Sequence, residues 1–168
     1  MVFELHAAVV RVRDIDCQQA QFLLGCFSLR LCLIDDGLPI PGSYWGECEA
    51  GIIGSNVYVR RDTPVHSLLH EACHLMVLPA EKRTSIHTDA TDSIAEEDAT
   101  CYLQLLLAEY IDGFGFARAC ADMDLWGYTF RLGSARAWFE NDADDAKEFL
   151  SELGIIPLPT ALIFQSNR

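Results

Sequence analysis

Two histidines four residues apart, with a glutamate after the first, constrain this chain more than any other feature: His70-Glu71-Ala72-Cys73-His74. On a helix, residues four apart lie one above the other on the same face. Two imidazoles so placed can point at one metal ion, and Glu71 then flanks the coordination position left open for water. Zinc takes neutral imidazole nitrogens readily, and three protein ligands plus a water make a catalytic site. The segment is helical by its own pattern. Asp62 or Thr63 suits the N-cap and Pro64 the first helical position, where a missing N–H costs nothing. Val65, Leu68, Leu69, Ala72, Leu75 and Met76 recur at helical spacing, and Pro79 ends the run. His66 lies one turn before His70, but three successive turns cannot all converge on one tetrahedral ion. It is expected beside the site or at the surface. The plain alternative is that His70 and His74 are ordinary histidines at a core edge.

A three-ligand site needs another side chain downstream. Asp89, Asp92, Glu96, Glu97 and Asp98 qualify, with His87 as an outlier in a polar loop. Helical geometry favours Glu96, which heads an apolar stripe through Ala99, Thr100, Leu103, Leu106, Leu107 and Tyr110 and so sits at the open end of a core-facing side. Ser93-Ile94-Ala95-Glu96 also fits a capping box, which would stabilise the helix by roughly 1 kcal/mol and needs no metal.

The remainder reads as short strands followed by helices. Phe3 to Arg13 alternates like a strand, Cys17 to Cys26 carries a helical pattern, and Phe27 to Ile34 reads as a strand closed by an Asp35-Asp36-Gly37 turn. Glu47 to Ile53 and Asn56 to Arg61 form a predicted hairpin around Gly54-Ser55, leading straight into the His-Glu helix. A polar connector, Ala80 to Thr91, precedes a second helix from about Asp92 to Ile111. Two or three more follow, including Ala143 to Leu153 stopped by Gly154, and the apolar tail Ile155 to Phe164 is expected to pack back. No repeat or internal boundary interrupts the chain, so 168 residues read as one domain.

Composition narrows the class. Twelve basic against 25 acidic residues leave a net charge of −13, which argues against nucleic acid and anionic membrane as partners. The seven cysteines are odd in number, never spaced CxxC, and several sit in apolar runs, as reduced buried thiols do. With no signal peptide and no membrane-length apolar run, the expected compartment is the cytoplasm. The sequence leaves oligomeric state open.

Glu96-Glu97-Asp98-Ala99-Thr100 following His70-Glu71-Ala72-Cys73-His74 resembles the HExxH plus E-x-x-A pattern of gluzincin metallopeptidases. Within these, residues 47 to 107 look most like the compact ImmA/IrrE type, whose E-x-x-A-[ND]-x-F segment Glu96-x-x-Ala99-x-x-Tyr102 resembles. Thr100 departs from its Asn or Asp, and Cys73 stands where that type usually has Gly. The resemblance implies an α+β, zincin-like domain: a short twisted sheet on the HExxH helix and a second ligand-bearing helix, with a helical C-terminal part. It implies His70, His74 and Glu96 as Zn2+ ligands, and Glu71 as general base of a metallopeptidase acting on a peptide or protein. An oxyanion donor would also be needed, with Tyr102, Tyr128 and Arg131 as candidates. A substrate peptide could add as a strand to the edge formed by Glu49 to Ile53. The alternative function is a non-catalytic zinc-binding regulatory or interaction protein on the same scaffold.

Overall fold

The computed structural model describes residues 8–90 and 93–165. In chain order its elements are α1 (Cys17–Gly25), β1 (Arg30–Leu33), β2 (Gly51–Ile53), β3 (Asn56–Val59), α2 (Val65–Val77), α3 (Ile94–Ala108), α4 (Gly115–Trp126), α5 (Ala135–Asn141), α6 (Asp144–Glu152) and α7 (Thr160–Gln165). This is an α+β arrangement. Of the predicted strand Phe3 to Arg13, residues 3–7 lie outside the described set. The remainder makes a single bridge from Arg11 to Pro64, then a 3-10 turn at Val12–Asp14. It is not a strand there, because Val12 and Arg13 donate their N–H groups to the loop carbonyls of Thr63 and Arg61.

The three strands form one mixed sheet in the order β1-β3-β2. β3 runs parallel to β1 and antiparallel to β2, with Ile52 opposite Val57 in the hairpin. Val57 and Val59 are fully buried, so this alternate face of β3 meets α2. The outer edge of β2 is already covered. Ile52 N–H donates to Gly42 O at 3.3 Å, and Ile52 O accepts from Thr88 N–H at 2.9 Å. Gly42 and Gly51 make this approach sterically feasible, since a Cβ on Gly51 would stand 2.0 Å from Pro41 O. A substrate strand therefore finds no free ladder on β2, contrary to the expected mode of peptide binding.

α2 is buried on almost every side, including Leu68, Leu69, Ala72 and Leu75 at 0% exposure. Each of these leucines contributes roughly 1.5–3 kcal/mol through burial. The helix begins one residue differently from expectation. Pro64 itself takes the N-cap position, without a side-chain cap. Thr63 Oγ1 instead accepts from Arg60 N–H, the Asp62 carboxylate pairs with the Arg60 guanidinium, and Val65 N–H is satisfied by Val10 O at 2.9 Å.

The end of α2 is held by a buried cation. Arg83 Nε donates to Leu75 O at 2.7 Å and its Nη1 to Phe27 O at 2.9 Å, placing positive charge at the helix C-terminus. Arg83→Met should lower unfolding free energy by about 3 kcal/mol, since two carbonyls lose their partner. Urea denaturation measures this, and a change under about 0.5 kcal/mol would show that water replaces the guanidinium.

α3 lies against α2 on one side and against α4 and α6 on others. Residues Ala99 to Leu105 are buried consecutively. The C-terminal part is helical, with four helices after α3 among the described residues where two or three were expected. The tail packs back only in part: Leu162 is buried, while Phe164 is 67% exposed.

Candidate metal centre

Three donors converge where α2 faces the first turn of α3. His70 Nε2 and His74 Nε2 are 3.0 Å apart. Glu97 Oε1 is 3.1 Å from the first and its Oε2 3.2 Å from the second. Ligands about 2.0–2.1 Å from a tetrahedral zinc stand about 3.3 Å from one another. The three groups thus already have nearly the spacing of a zinc ligand set, and they could hold such an ion.

The carboxylate in this cluster is Glu97, not the Glu96 singled out by the stripe argument. The reason is that α3 has more than one buried face. The stripe headed by Glu96 follows Ala99 and Leu103, whereas Glu97, Thr100, Cys101 and Gln104 follow another, and that one meets the histidines. Thr100 Oγ1 lies 3.4 Å from His74 Nδ1, and Gln104 Oε1 lies 3.0 Å from His70 Nδ1. Glu96 occupies the third helical position, where its amide donates to Ser93 Oγ at 3.1 Å, the N-cap bond of the capping alternative. Of the other candidates, Asp98 pairs with Arg131 at 3.4 Å, and His87 is exposed beside Thr88. Asp89 lines the cleft without joining the cluster. Asp92 lies outside the described residues.

Gln104 sets the chemistry of His70. Its Nε2 donates to His66 O at 2.8 Å, so its Oε1 is the atom presented to His70. The imidazole must then carry a proton on Nδ1, which leaves Nε2 as the atom turned toward His74 and Glu97. Partners of this kind fix both ring orientation and tautomer. Gln104→Leu should therefore weaken zinc binding by about 10- to 100-fold with the fold retained, measured by competition against a chromophoric chelator. Unchanged affinity would mean that the two helices alone hold the ring. His66 is fully buried, with Nδ1 3.3 Å from the Tyr128 hydroxyl, so it belongs to the wall behind the site.

Burial, the largest influence on each group here, acts against charge. It pushes Glu71 up to about 7. His70 opposes that rise, while Glu49, Glu97 and Asp89 add to it. Desolvation and the neighbouring His70 press His74 down to about 3. Desolvation also opposes charge on His70, but Tyr128, Cys101 and the Glu97 carboxylate outweigh it and hold this imidazole well above its ordinary value. Glu97 would be raised by burial, yet its bond to His70 and the charge of that imidazole bring it below the usual carboxylate range. The donor set is thus a neutral imidazole, a proton-holding imidazole and a carboxylate, groups that a divalent cation can bind by displacing one proton.

These side chains open into a cleft of about 520 Å³, walled by Tyr44, Trp45, Glu49, Asp89, Trp126 and Tyr128. No family model, curated protein or solved structure matches the chain. The site therefore stands on its own geometry. Of the three candidates for an oxyanion donor, only Tyr128 lines the cleft, its ring edge-on to His70 at 5.4 Å. Tyr102 is stacked on Phe139, and Arg131 is engaged by Asp142. Cys101, buried with its Sγ 3.9 Å from Glu97 Oε1, is a neighbour of the cluster that sequence reasoning passed over. No helix among the described residues is long and apolar enough to cross a membrane.

Proposed function

We propose that the cleft is the active site of a zinc-dependent peptide hydrolase with a zincin-like arrangement, in which His70, His74 and Glu97 hold the ion. The observation that carries this reading is the convergence of His70, His74 and Glu97 at nearly zinc-ligand spacing, with Glu71 lining the same cleft one residue from His70. Zinc, when bound, would supply Lewis acidity toward a carbonyl and lower the pKa of water at its open position.

The chain's own groups account for the rest. Glu71 accepts a proton from the attacking water and returns it to the leaving amine, so the carboxylate ends each cycle as it began. Burial keeps the Tyr128 phenol protonated, raised above its ordinary value, and able to donate toward a developing oxyanion from the cleft wall. Gln104 and Thr100 keep the imidazole Nδ1 atoms occupied, so that only Nε2 faces inward. With the β2 edge occupied, the substrate enters through the cleft mouth rather than by strand addition.

The test is incubation of zinc-reconstituted protein with a defined mixture of unstructured peptides, with cleavage read by mass spectrometry. New termini that appear with zinc and vanish with chelator support the reading. Intact peptides despite stoichiometric zinc would overturn it in favour of a binding role.

A further inference from the structure

The cleft takes its apolar surface from aromatic rings. Tyr44, Trp45, Trp126 and Tyr128 line it, and no aliphatic side chain larger than Ala90 does so among the described residues. The rings fall into two pairs. Trp126 and Tyr128 pack on the buried His66 at 5.0 and 5.5 Å, as part of the interior wall. Tyr44 and Trp45 meet each other edge to face at 5.0 Å, yet stay 61% and 75% exposed.

Folding ordinarily hides rings of this size, and here a specific turn keeps them out. That turn is anchored at its base. Gly42 O accepts from Ile52 N–H at 3.3 Å, Ser43 bridges to Gly51, and Ser43 Oγ accepts from Gly46 N–H at 3.1 Å. The rings are thus carried on backbone fixed to β2, which itself packs against the ligand-bearing helix α2. Just beyond them Glu47 takes a left-handed φ of +56°, a conformation that a residue with a side chain rarely adopts. Such strain persists only where the surrounding structure holds it, and it concentrates at ligand sites. Two rings kept in water at a concave site, on an anchored turn next to a strained residue, mark a contact surface for whatever enters that site.

We propose that Tyr44 and Trp45 form a specificity subsite that takes a bulky apolar side chain of the substrate beside the bond that is cut. This rests on the metal-hydrolase reading of the same cleft. The preferred substrate is then a peptide with an aromatic or large aliphatic residue on one side of the scissile bond. The driving force is removal of apolar surface on both partners from water, which needs no charge on either.

Hydroxamates test this apart from turnover, because the hydroxamate chelates zinc while the rest of the molecule samples the walls. Two series cover the two sides of the bond: Nα-acetyl-amino-acid hydroxamates, and hydroxamates of malonyl-amino-acid amides. Each series carries alanine, phenylalanine or lysine. Binding is measured to zinc-loaded wild type, to the Tyr44→Ala, Trp45→Ala double variant and to Trp45→Phe, with zinc content checked for each. In wild type, phenylalanine should bind about tenfold more tightly than alanine in one series, and which series it is places the subsite. The ratio should fall to near one in the double variant and survive in Trp45→Phe, which keeps a ring. A ratio near one in both series for wild type, or a ratio kept in the double variant, overturns the assignment and leaves the metal site standing. Lysine binding as tightly as phenylalanine overturns it as well, since apolar contact would then not decide. Failure of every hydroxamate to bind zinc-loaded protein sinks the hydrolase reading and this assignment together.

Discussion

Zinc reconstitution should yield close to one ion per chain, and that content should be lost in His74→Ala and in Glu97→Ala but kept in Glu96→Ala. The distinction follows from geometry. Glu97 contributes an oxygen to each histidine at 3.1 and 3.2 Å, whereas Glu96 lies outside the cluster. Zinc binding in four-ligand sites is worth roughly 10–16 kcal/mol, so each ligand accounts for about 3 kcal/mol. Removing one should weaken affinity on the order of a hundredfold or more. Elemental analysis of untagged protein after gel filtration reads this directly. Retained zinc in Glu97→Ala with loss in Glu96→Ala would mean that the first turn of α3 rotates by about 100° on metal binding. Wild type that takes up no zinc would reduce the cluster to a hydrogen-bonded histidine pair.

The sequence made α2 legible because its signals agreed: apolar period, a proline at the start, another after the end, and a metal-ligand spacing on one face. The same held for the β2–β3 hairpin, where Gly54-Ser55 marks the turn, and for α6, which ends before Gly154 at a φ of +74°. Choosing between Glu96 and Glu97 failed for a physical reason. Periodicity selects a residue only when a helix has one buried face, and α3 is buried nearly all round. A usable signal was nevertheless present. Thr100 and Gln104 are polar residues within an otherwise apolar helix, at offsets of three and seven from Glu97. Both are fully buried and both touch the clustered histidines. Buried polar groups need partners, so a polar stripe inside a core helix points to what it serves. The walls of the cleft were barely legible: Tyr128 stood only as one of three candidate oxyanion donors. Glu49, Trp126 and Tyr128 are brought together by loops and by the placement of α4, which no local pattern encodes.

Glu71→Gln should keep zinc at wild-type occupancy and lose peptide hydrolysis by on the order of 10²- to 10⁴-fold, the range contributed by a positioned general base. Glutamine is nearly isosteric and leaves the three donors untouched, since Glu71 is not among them. It also relieves a cost. The Glu71 carboxylate is held at a pKa of about 7 chiefly by burial, reinforced by Glu49, Glu97 and Asp89, so an uncharged amide removes a desolvated charge from an acidic cleft. Unfolding of the metal-free protein in urea should accordingly show the variant at least as stable as wild type near neutral pH. Lower stability would mean that the carboxylate has a structural partner that an amide cannot satisfy. The pairing of activity with metal content separates two uses of one scaffold. A hydrolase loses turnover at full zinc occupancy when Glu71 is changed, because the ion without a base leaves the attacking water's proton with no acceptor. A regulatory zinc protein keeps its function in the same variant, because partner binding requires the ion and the surrounding surface but no proton transfer.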